Sequence, residues 1–112
     1  KKILIIGVAY KKNVDDTRES PAFKIMDLLR RKNIKFDYHD PYIKILPKTR
    51  KYSFNKKSII LNKNNLKKYV ATVIITDHDK IDYVKIQVNS KLMFDCRAVL
   101  NPSINKSKII NI

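Results

Sequence analysis

Short apolar runs alternate along the chain with longer stretches in which apolar residues recur every three or four positions. The first run, residues 3–6, is continuous and rich in β-branched side chains, which is typical of a strand buried on both faces of a parallel sheet. Later runs predict further strands at residues 34–38, 58–61, 70–76, 91–94 and 108–112. Since parallel neighbours need long crossover connections, the spacing between these runs favours helices between the strands.

Three of the connecting stretches predict helices. The first begins after Pro21, with Ser20 as its expected N-cap and Asn33 suited to the left-handed position at its end. Its predicted buried stripe consists of Ala22, Ile25, Met26, Leu28 and Leu29. A short helix capped by Asn64 or Asn65 and a helix over residues 81–88 are predicted next. The basic residues 44–56 indicate an irregular, exposed segment.

The order of these elements predicts the fold class. It is α/β, with a three-layer, open and mostly parallel sheet, helices on both faces, and a Rossmann-like or flavodoxin-like build. The 112 residues suffice for a single domain, residues 1–112, that buries about two-thirds of its unfolded surface. Because the chain begins at Lys1, directly before the first strand and without methionine, we expect it to be a domain of a longer polypeptide.

The polar stretch from Gly7 to Pro21 forms the loop between the first strand and the first helix, where open α/β sheets bind ligands. Gly7 is the only glycine in the chain, whereas a loop that cradles a dinucleotide pyrophosphate uses several glycines. An anion at this loop must therefore be held by side chains. The available cations are Lys11, Lys12 and Arg18.

The carboxyl ends of parallel strands meet at one edge of a sheet, so the strand ends near Gly7, Thr76 and Asp95 should lie together. Lys11, Arg18 and Arg97 could then converge around an exposed Tyr10, an arrangement suited to a nucleoside diphosphate. A purely structural alternative remains open at this point. In that alternative Asp95 and Arg97 form an ion pair, Asp15 and Asp16 accept local turn hydrogen bonds, and Lys11 is solvated.

Asp40 and His78 also follow predicted strands. An acid in the position of Asp40 holds a ribose hydroxyl in some dinucleotide folds, but without a glycine loop the sequence favours a turn-forming Asp before proline. His78 has no second catalytic group near it in sequence. A loop-stabilising or substrate-edge role is therefore favoured over a catalytic base.

Composition narrows the function classes. The net charge of +15 comes mainly from twenty lysines, which are spread along the chain beside many Asn and Ile residues. Because no nucleic-acid-binding motif accompanies this charge, a nucleic-acid-binding function is not favoured. No apolar run approaches the roughly 18 residues that span a bilayer, so we expect a cytoplasmic protein with no membrane segment. One cysteine and two distant histidines predict neither an internal disulfide nor a metal site.

Four motifs, in this order, carry a family resemblance. They are Gly7-x-Ala9-Tyr10-Lys11 with Asp16-x-Arg18-x-Ser20-Pro21, then Tyr38-His39-Asp40-Pro41-Tyr42, then Thr76-Asp77-His78, then Phe94-Asp95-Cys96-Arg97. Over nearly its whole length the chain resembles the C-terminal, UDP-binding domain of the UDP-glucose/GDP-mannose dehydrogenase family. Within that family it is most similar to the bacterial UDP-N-acetylhexosamine 6-dehydrogenases.

The resemblance implies an NAD-dependent enzyme that oxidises the C6 alcohol of a UDP-sugar to a carboxylate, for surface polysaccharide precursors. It implies that Tyr10, Lys11 and Arg97 contact the UDP-sugar and that Arg18 lies toward the cofactor. NAD and the nucleophilic cysteine would belong to the N-terminal and central domains, absent from this chain, and the intact enzyme would be a homo-oligomer. In the family the position of Cys96 is usually occupied by a different residue, often Gly or Thr, which implies that Cys96 is not the nucleophile. This chain alone is expected to be inactive.

Two hypotheses follow. The first is a UDP-sugar-binding domain of a nucleotide-sugar 6-dehydrogenase, which requires the cations of the motif loops to differ from the other lysines. The alternative is a basic, flavodoxin-like module that binds nucleic acid or an acidic partner, to which many lysines would contribute alike.

Overall fold

Strands and helices alternate along the chain in the computed structural model, which describes residues 2–101 and 108–111. The elements over these residues are β1 (Lys2–Ile6), α1 (Ala22–Arg31), β2 (Lys35–His39), α2 (Lys63–Leu66), β3 (Tyr69–Ile74), α3 (Tyr83–Asn89), β4 (Leu92–Asp95) and β5 (Lys108–Asn111). Most predicted strands are confirmed to within one or two residues. Ile112, the predicted last residue of β5, lies outside the described residues.

The strands form one sheet in the order β2-β1-β3-β4-β5, and every neighbouring pair is parallel. This is the flavodoxin-like order, in which the chain moves outward in opposite directions from β1 and from β3. All five carboxyl ends lie at one edge. The loops that follow β1, β2, β3 and β4 therefore meet there, as the sequence predicted.

Each face of the sheet carries its own core, because successive side chains of a strand point to opposite faces. Ile5 packs in one cluster with Met26 of α1 and with Phe36. Leu4 and Ile6 pack in a second cluster, which includes residues of α2 and α3. The predicted three-layer α/β fold with helices on both faces is therefore confirmed.

Helix α1 begins after Pro21 as predicted, but its N-cap is Pro21 rather than Ser20, and its buried stripe differs in part from the predicted one. The Ser20 hydroxyl accepts a hydrogen bond from the Ala22 amide at 3.2 Å, and Asn33 closes the helix with a φ of 57°. Phe23, absent from the predicted stripe, is buried, whereas Leu28 is 53% exposed. The prediction for Leu28 was wrong because the fully buried positions are Ala22, Phe23 and Met26, with Ile25 and Leu29 partly buried beside them.

The segment 44–56 is irregular, as predicted, but it is not simply exposed. Leu46 and Phe54 are buried, and the Phe54 ring lies 5.9 Å from the Phe36 ring. The predicted strand at 58–61 is also wrong: Ser58 makes a single parallel bridge to Tyr38. The segment thus serves as a cover for the aromatic part of the first core.

The cap of α2 differs from the predicted one. Helix α2 is capped by Asn62, whose Oδ1 accepts from the Asn65 amide at 2.8 Å, so the predicted cap at Asn64 or Asn65 was misplaced. Among the described residues, every helix is too short or too polar to cross a bilayer.

Candidate functional site

The loop after β1 leaves the sheet at Gly7, in close contact with the loop after β3. Gly7 has a φ of +81°, and a Cβ atom at this position would lie 2.2 Å from the carbonyl oxygen of Thr76. The Gly7 amide donates to the His39 carbonyl at 2.9 Å, and the Thr76 hydroxyl donates to the Ala9 carbonyl at 2.7 Å. Only glycine allows the two loops to approach this closely.

A buried carboxylate lies beneath this loop. Oδ2 of Asp40, a residue that is 1% exposed, accepts hydrogen bonds from the amides of Val8 at 2.8 Å and Ala9 at 3.2 Å. Oδ1 accepts from the Tyr42 amide at 2.8 Å, which agrees with the favoured turn-forming role. A ribose hydroxyl could not reach so buried a group. The sequence did not predict that Asp40 would also anchor the loop after β1.

His78 is fully buried between Asp40 and the same loop. Its Nδ1 lies 2.8 Å from the Asn13 amide nitrogen, and its Nε2 lies 2.8 Å from Oδ2 of Asp40. A backbone N–H can only donate, so Nδ1 accepts, and Nε2 carries the proton and donates to the carboxylate. Both ring nitrogens are therefore satisfied by the protein. This arrangement agrees with the favoured loop-stabilising role and excludes an accessible catalytic base.

Asn13 completes the anchoring of the loop. Its backbone has a φ of 63°, a region that Asn tolerates better than most residues. Its side chain exchanges two hydrogen bonds with Asp79, at 2.7 Å and 2.9 Å. Sequence reasoning missed Asn13, since its partners lie more than sixty residues away and only its tolerance of positive φ gave a local signal.

Tyr10 and Lys11 lie between these anchored amides and face outward. Tyr10 is 49% exposed, and Lys11 is exposed with no charged partner among the residues that the structure describes. Lys12, in contrast, lies 3.9 Å from Asp77 and 3.8 Å from Asp79. Lys11 is thus the lysine of this loop whose charge is not already balanced locally.

Arg97 follows β4 and reaches back to the end of β3. Its Nε donates to the Ile75 carbonyl at 2.9 Å. The predicted alternative of an Asp95–Arg97 ion pair is wrong, because the Asp95 carboxylate instead accepts the amides of Arg97 at 3.0 Å and Leu100 at 2.9 Å. Within residues 2–101 and 108–111, the terminal nitrogens of Arg97 have no partner. They could therefore donate to an anion.

Arg18 lies in the same loop as Lys11, two residues after Asp16. Its Nε and Nη2 donate to the two oxygens of Asp16, at 3.1 Å and 2.9 Å, and this pairing lowers the pKa of Asp16. Asp16 also accepts the Arg18 amide, as predicted for a turn acceptor. Arg18 lines a groove of about 540 Å³ with the start of α1 and residues 49–52. The convergence of Arg18 with Lys11 and Arg97 stays a prediction.

Cys96 lies between Asp95 and Arg97 in sequence and is half-buried. Burial raises the pKa of its thiol, the Asp95 charge acts in the same direction, and the Arg97 charge opposes them. Such a thiol is a poor nucleophile near neutral pH. No group of three or more metal-ligating side chains occurs within the described part of the chain.

Comparisons with known proteins agree with this geometry. A family model described as "UDP-glucose/GDP-mannose dehydrogenase family, UDP binding domain" matches residues 4–102. The UDP-N-acetyl-D-mannosamine dehydrogenase of Methanococcus vannielii is 29% identical, over 94% of this chain and 24% of that protein. That of Methanocaldococcus jannaschii is 30% identical, over 89% of this chain and 23% of that protein.

Solved structures give the same picture. The UDP-N-acetyl-mannosamine dehydrogenase Cap5O from S. aureus has a TM-score of 0.71 and 25% identity, over 98% of this chain and 26% of that one. The NDP-N-acetyl-D-galactosaminuronic acid dehydrogenase from Methanosarcina mazei Go1 has a TM-score of 0.74 at 20% identity, over 99% of this chain and 24% of that one, a likeness of fold alone. The chain thus spans about a quarter of the length of these relatives. None of these matches supports the basic-module alternative.

Proposed function

Because the chain belongs to the UDP-glucose/GDP-mannose dehydrogenase family, we propose that it binds the nucleotide part of a UDP-sugar in an NAD-dependent 6-dehydrogenase. The relatives that match most of the chain are named UDP-N-acetyl-D-mannosamine dehydrogenases, so UDP-N-acetyl-D-mannosamine is the substrate that we favour. The complete enzyme would oxidise the C6 alcohol to a carboxylate in two successive steps. Its product would serve surface polysaccharide synthesis in the cytoplasm.

The observation that carries this proposal is the exposure of Tyr10 and Lys11 on a loop whose neighbouring amides are held by buried groups. A rigid loop loses little conformational entropy when it binds a ligand. Lys11 offers a point charge to the diphosphate, and Arg97 offers terminal N–H groups that can bond to phosphate or sugar oxygens. The half-exposed Tyr10 ring offers a flat contact for the base.

The described residues do not form a cradle for the pyrophosphate of NAD. The loop after β1 contains one glycine, and the space beside it is filled by Thr76. We therefore propose that NAD is bound mainly by an N-terminal domain and that Arg18 lies on the cofactor side of the cleft between domains. The hydride transfer would require that domain and a central catalytic domain, within a homo-oligomer, and this chain would contribute no catalytic residue.

The test is calorimetric titration of the complete enzyme with UDP, comparing Lys11→Ala and Arg97→Ala with the matched variant Lys91→Ala. Lys91 is exposed and precedes β4, at the opposite edge of the sheet. A charge-assisted hydrogen bond contributes about 1.5–3 kcal/mol, so each site variant should weaken UDP binding by about tenfold to a hundredfold. Lys91→Ala should leave the affinity unchanged. Equal losses in all three variants, or no binding of UDP by the unmodified enzyme, would contradict the proposal.

A further inference from the structure

We propose that Asp40 and His78 are positioning residues for nucleotide binding: they fix the backbone on both sides of Tyr10 and Lys11. This inference rests on the proposed function. Asp40 holds the amides of Val8 and Ala9 from one side, through the same oxygen that accepts from His78. The His78 imidazole also accepts a hydrogen bond from the Asn13 amide, so it fixes the part of the loop that follows Lys11. The two buried side chains thus form one continuous bridge under the loop.

The bridge ends at Asn13, two residues beyond Lys11. The Asn13 amide donates to Nδ1 of His78 at 2.8 Å, and among the described residues the other polar contact of the ring is with Asp40. Buried side chains therefore fix the amides of Val8 and Ala9, before Tyr10 and Lys11, and the amide of Asn13 after them. The Tyr10 amide adds a bond across the loop to the Asp16 carbonyl at 2.6 Å. The directions of the Tyr10 and Lys11 side chains follow from this fixed backbone.

A general stabilising role would not explain the direction of these bonds. Within the part of the chain that the structure describes, four N–H groups donate to the Asp40 carboxylate: two belong to the loop after β1, and a third belongs to His78, which itself bonds to that loop. A buried carboxylate is costly unless its hydrogen bonds are satisfied, and apolar side chains would support a turn as well. Asp40 and His78 differ from apolar side chains because they hold individual backbone amides, those of Val8, Ala9 and Asn13, at defined positions.

The two nitrogens of His78 allow the inference to be tested with a matched pair of variants. His78→Asn places an amide oxygen near the position of Nδ1 and can still accept from Asn13. His78→Gln places an amide nitrogen near the position of Nε2 and can still donate to Asp40, but it loses the acceptor for Asn13. Both variants remove the imidazole from the same buried site. Each variant keeps one of the two hydrogen bonds of His78 and loses the other, so a role in holding Asn13 predicts a loss of UDP affinity in His78→Gln beyond any loss of stability that both variants share.

The experiment measures UDP affinity by calorimetry and KM for the UDP-sugar, KM for NAD and kcat by NADH formation in the complete enzyme. We expect His78→Gln to raise the Kd for UDP and the KM for the UDP-sugar by about tenfold, with kcat and the KM for NAD nearly unchanged. His78→Asn should stay within about threefold of the unmodified enzyme. Tyr38→Phe, which removes a buried hydroxyl that donates to the Ile43 carbonyl, should lower stability without changing UDP affinity. Equal losses in the two His78 variants, or no loss in His78→Gln, would overturn the inference.

A measurement on the unmodified protein decides the case even where the variants fail to fold. Amide hydrogen exchange followed by NMR should show Val8, Ala9 and Asn13 protected before UDP is added and Lys11 exchanging faster. If these three amides gain protection only with UDP, the loop is not prepositioned, and the inference is wrong. Absence of UDP binding together with strong protection would instead refute the proposed function and leave the anchoring of the loop intact.

Discussion

Replacing Gly7 by alanine should be among the most damaging single changes in the chain. At a φ of +81°, any residue with a Cβ atom costs about 1–2 kcal/mol relative to glycine. The added Cβ would also lie 2.2 Å from the Thr76 carbonyl oxygen and 2.6 Å from the Thr76 Cβ. Relieving such contacts in a packed site costs typically about 1–3 kcal/mol. The expected loss in unfolding free energy is therefore about 2–5 kcal/mol, a large part of the roughly 5–15 kcal/mol that stabilises a typical domain.

Urea denaturation followed by circular dichroism gives the unfolding free energies of the unmodified protein and the variant. Asn33→Ala is the matched control, because Asn33 also has a positive φ, of 57°, but is exposed at the end of α1. It should lose only the conformational part, about 1 kcal/mol. A loss in Gly7→Ala no greater than in Asn33→Ala would show that the close approach of the two loops does not restrict position 7.

Four further substitutions test other parts of the structure. Phe23→Ala should cost about 3–5 kcal/mol in unfolding free energy and Leu28→Ala less than about 1 kcal/mol, as urea denaturation would show, because only Phe23 is buried. Asp37→Asn should destabilise by about 1 kcal/mol at pH 7. Burial alone would raise the pKa of Asp37, but the Tyr69 hydrogen bond and the charges of Lys2 and Lys56 together lower it. Denaturation at several pH values should therefore show that the difference in unfolding free energy between the unmodified protein and Asp37→Asn vanishes as the pH falls below about 4. Cys96→Ser should leave kcat of the complete enzyme within about twofold, and iodoacetamide should modify Cys96 slowly at pH 7, because burial raises the pKa of the thiol.

The strands were predictable because their signal is local. The run at residues 3–6 is apolar at every position, and a strand buried on both faces needs such a run. The start of α1 was equally local, since Ser20 and Pro21 mark a helix N-terminus without reference to other segments. These elements, with the spacing between them, were enough to predict a parallel sheet with helices on both faces.

The features that the sequence did not predict depend on distant partners. Phe54 is buried because it packs against Phe23 of α1 and Phe36 of β2. The sequence of residues 44–56 by itself does not indicate these contacts. His78 and Asp40 are 38 residues apart in sequence, and either alone is an ordinary loop residue. The roles of Tyr10, Lys11, Arg18 and Arg97 stay predictions.

The buried pair also gives a physical reason for the chemistry of the proposed site. In a sheet of this order, the crevice between the ends of β1 and β3 is the usual place for a ligand, and backbone amides there commonly hold phosphate. In this chain the amides of Val8 and Ala9 already donate to the Asp40 carboxylate, and the Asn13 amide donates to His78. An internal anion thus takes the donors that a phosphate would otherwise use. Under the proposed function, we therefore expect a nucleotide at this edge to be bound mainly by side chains on the outer surface of the loop. One glycine then suffices, and the charges of Lys11 and Arg97 should dominate the affinity.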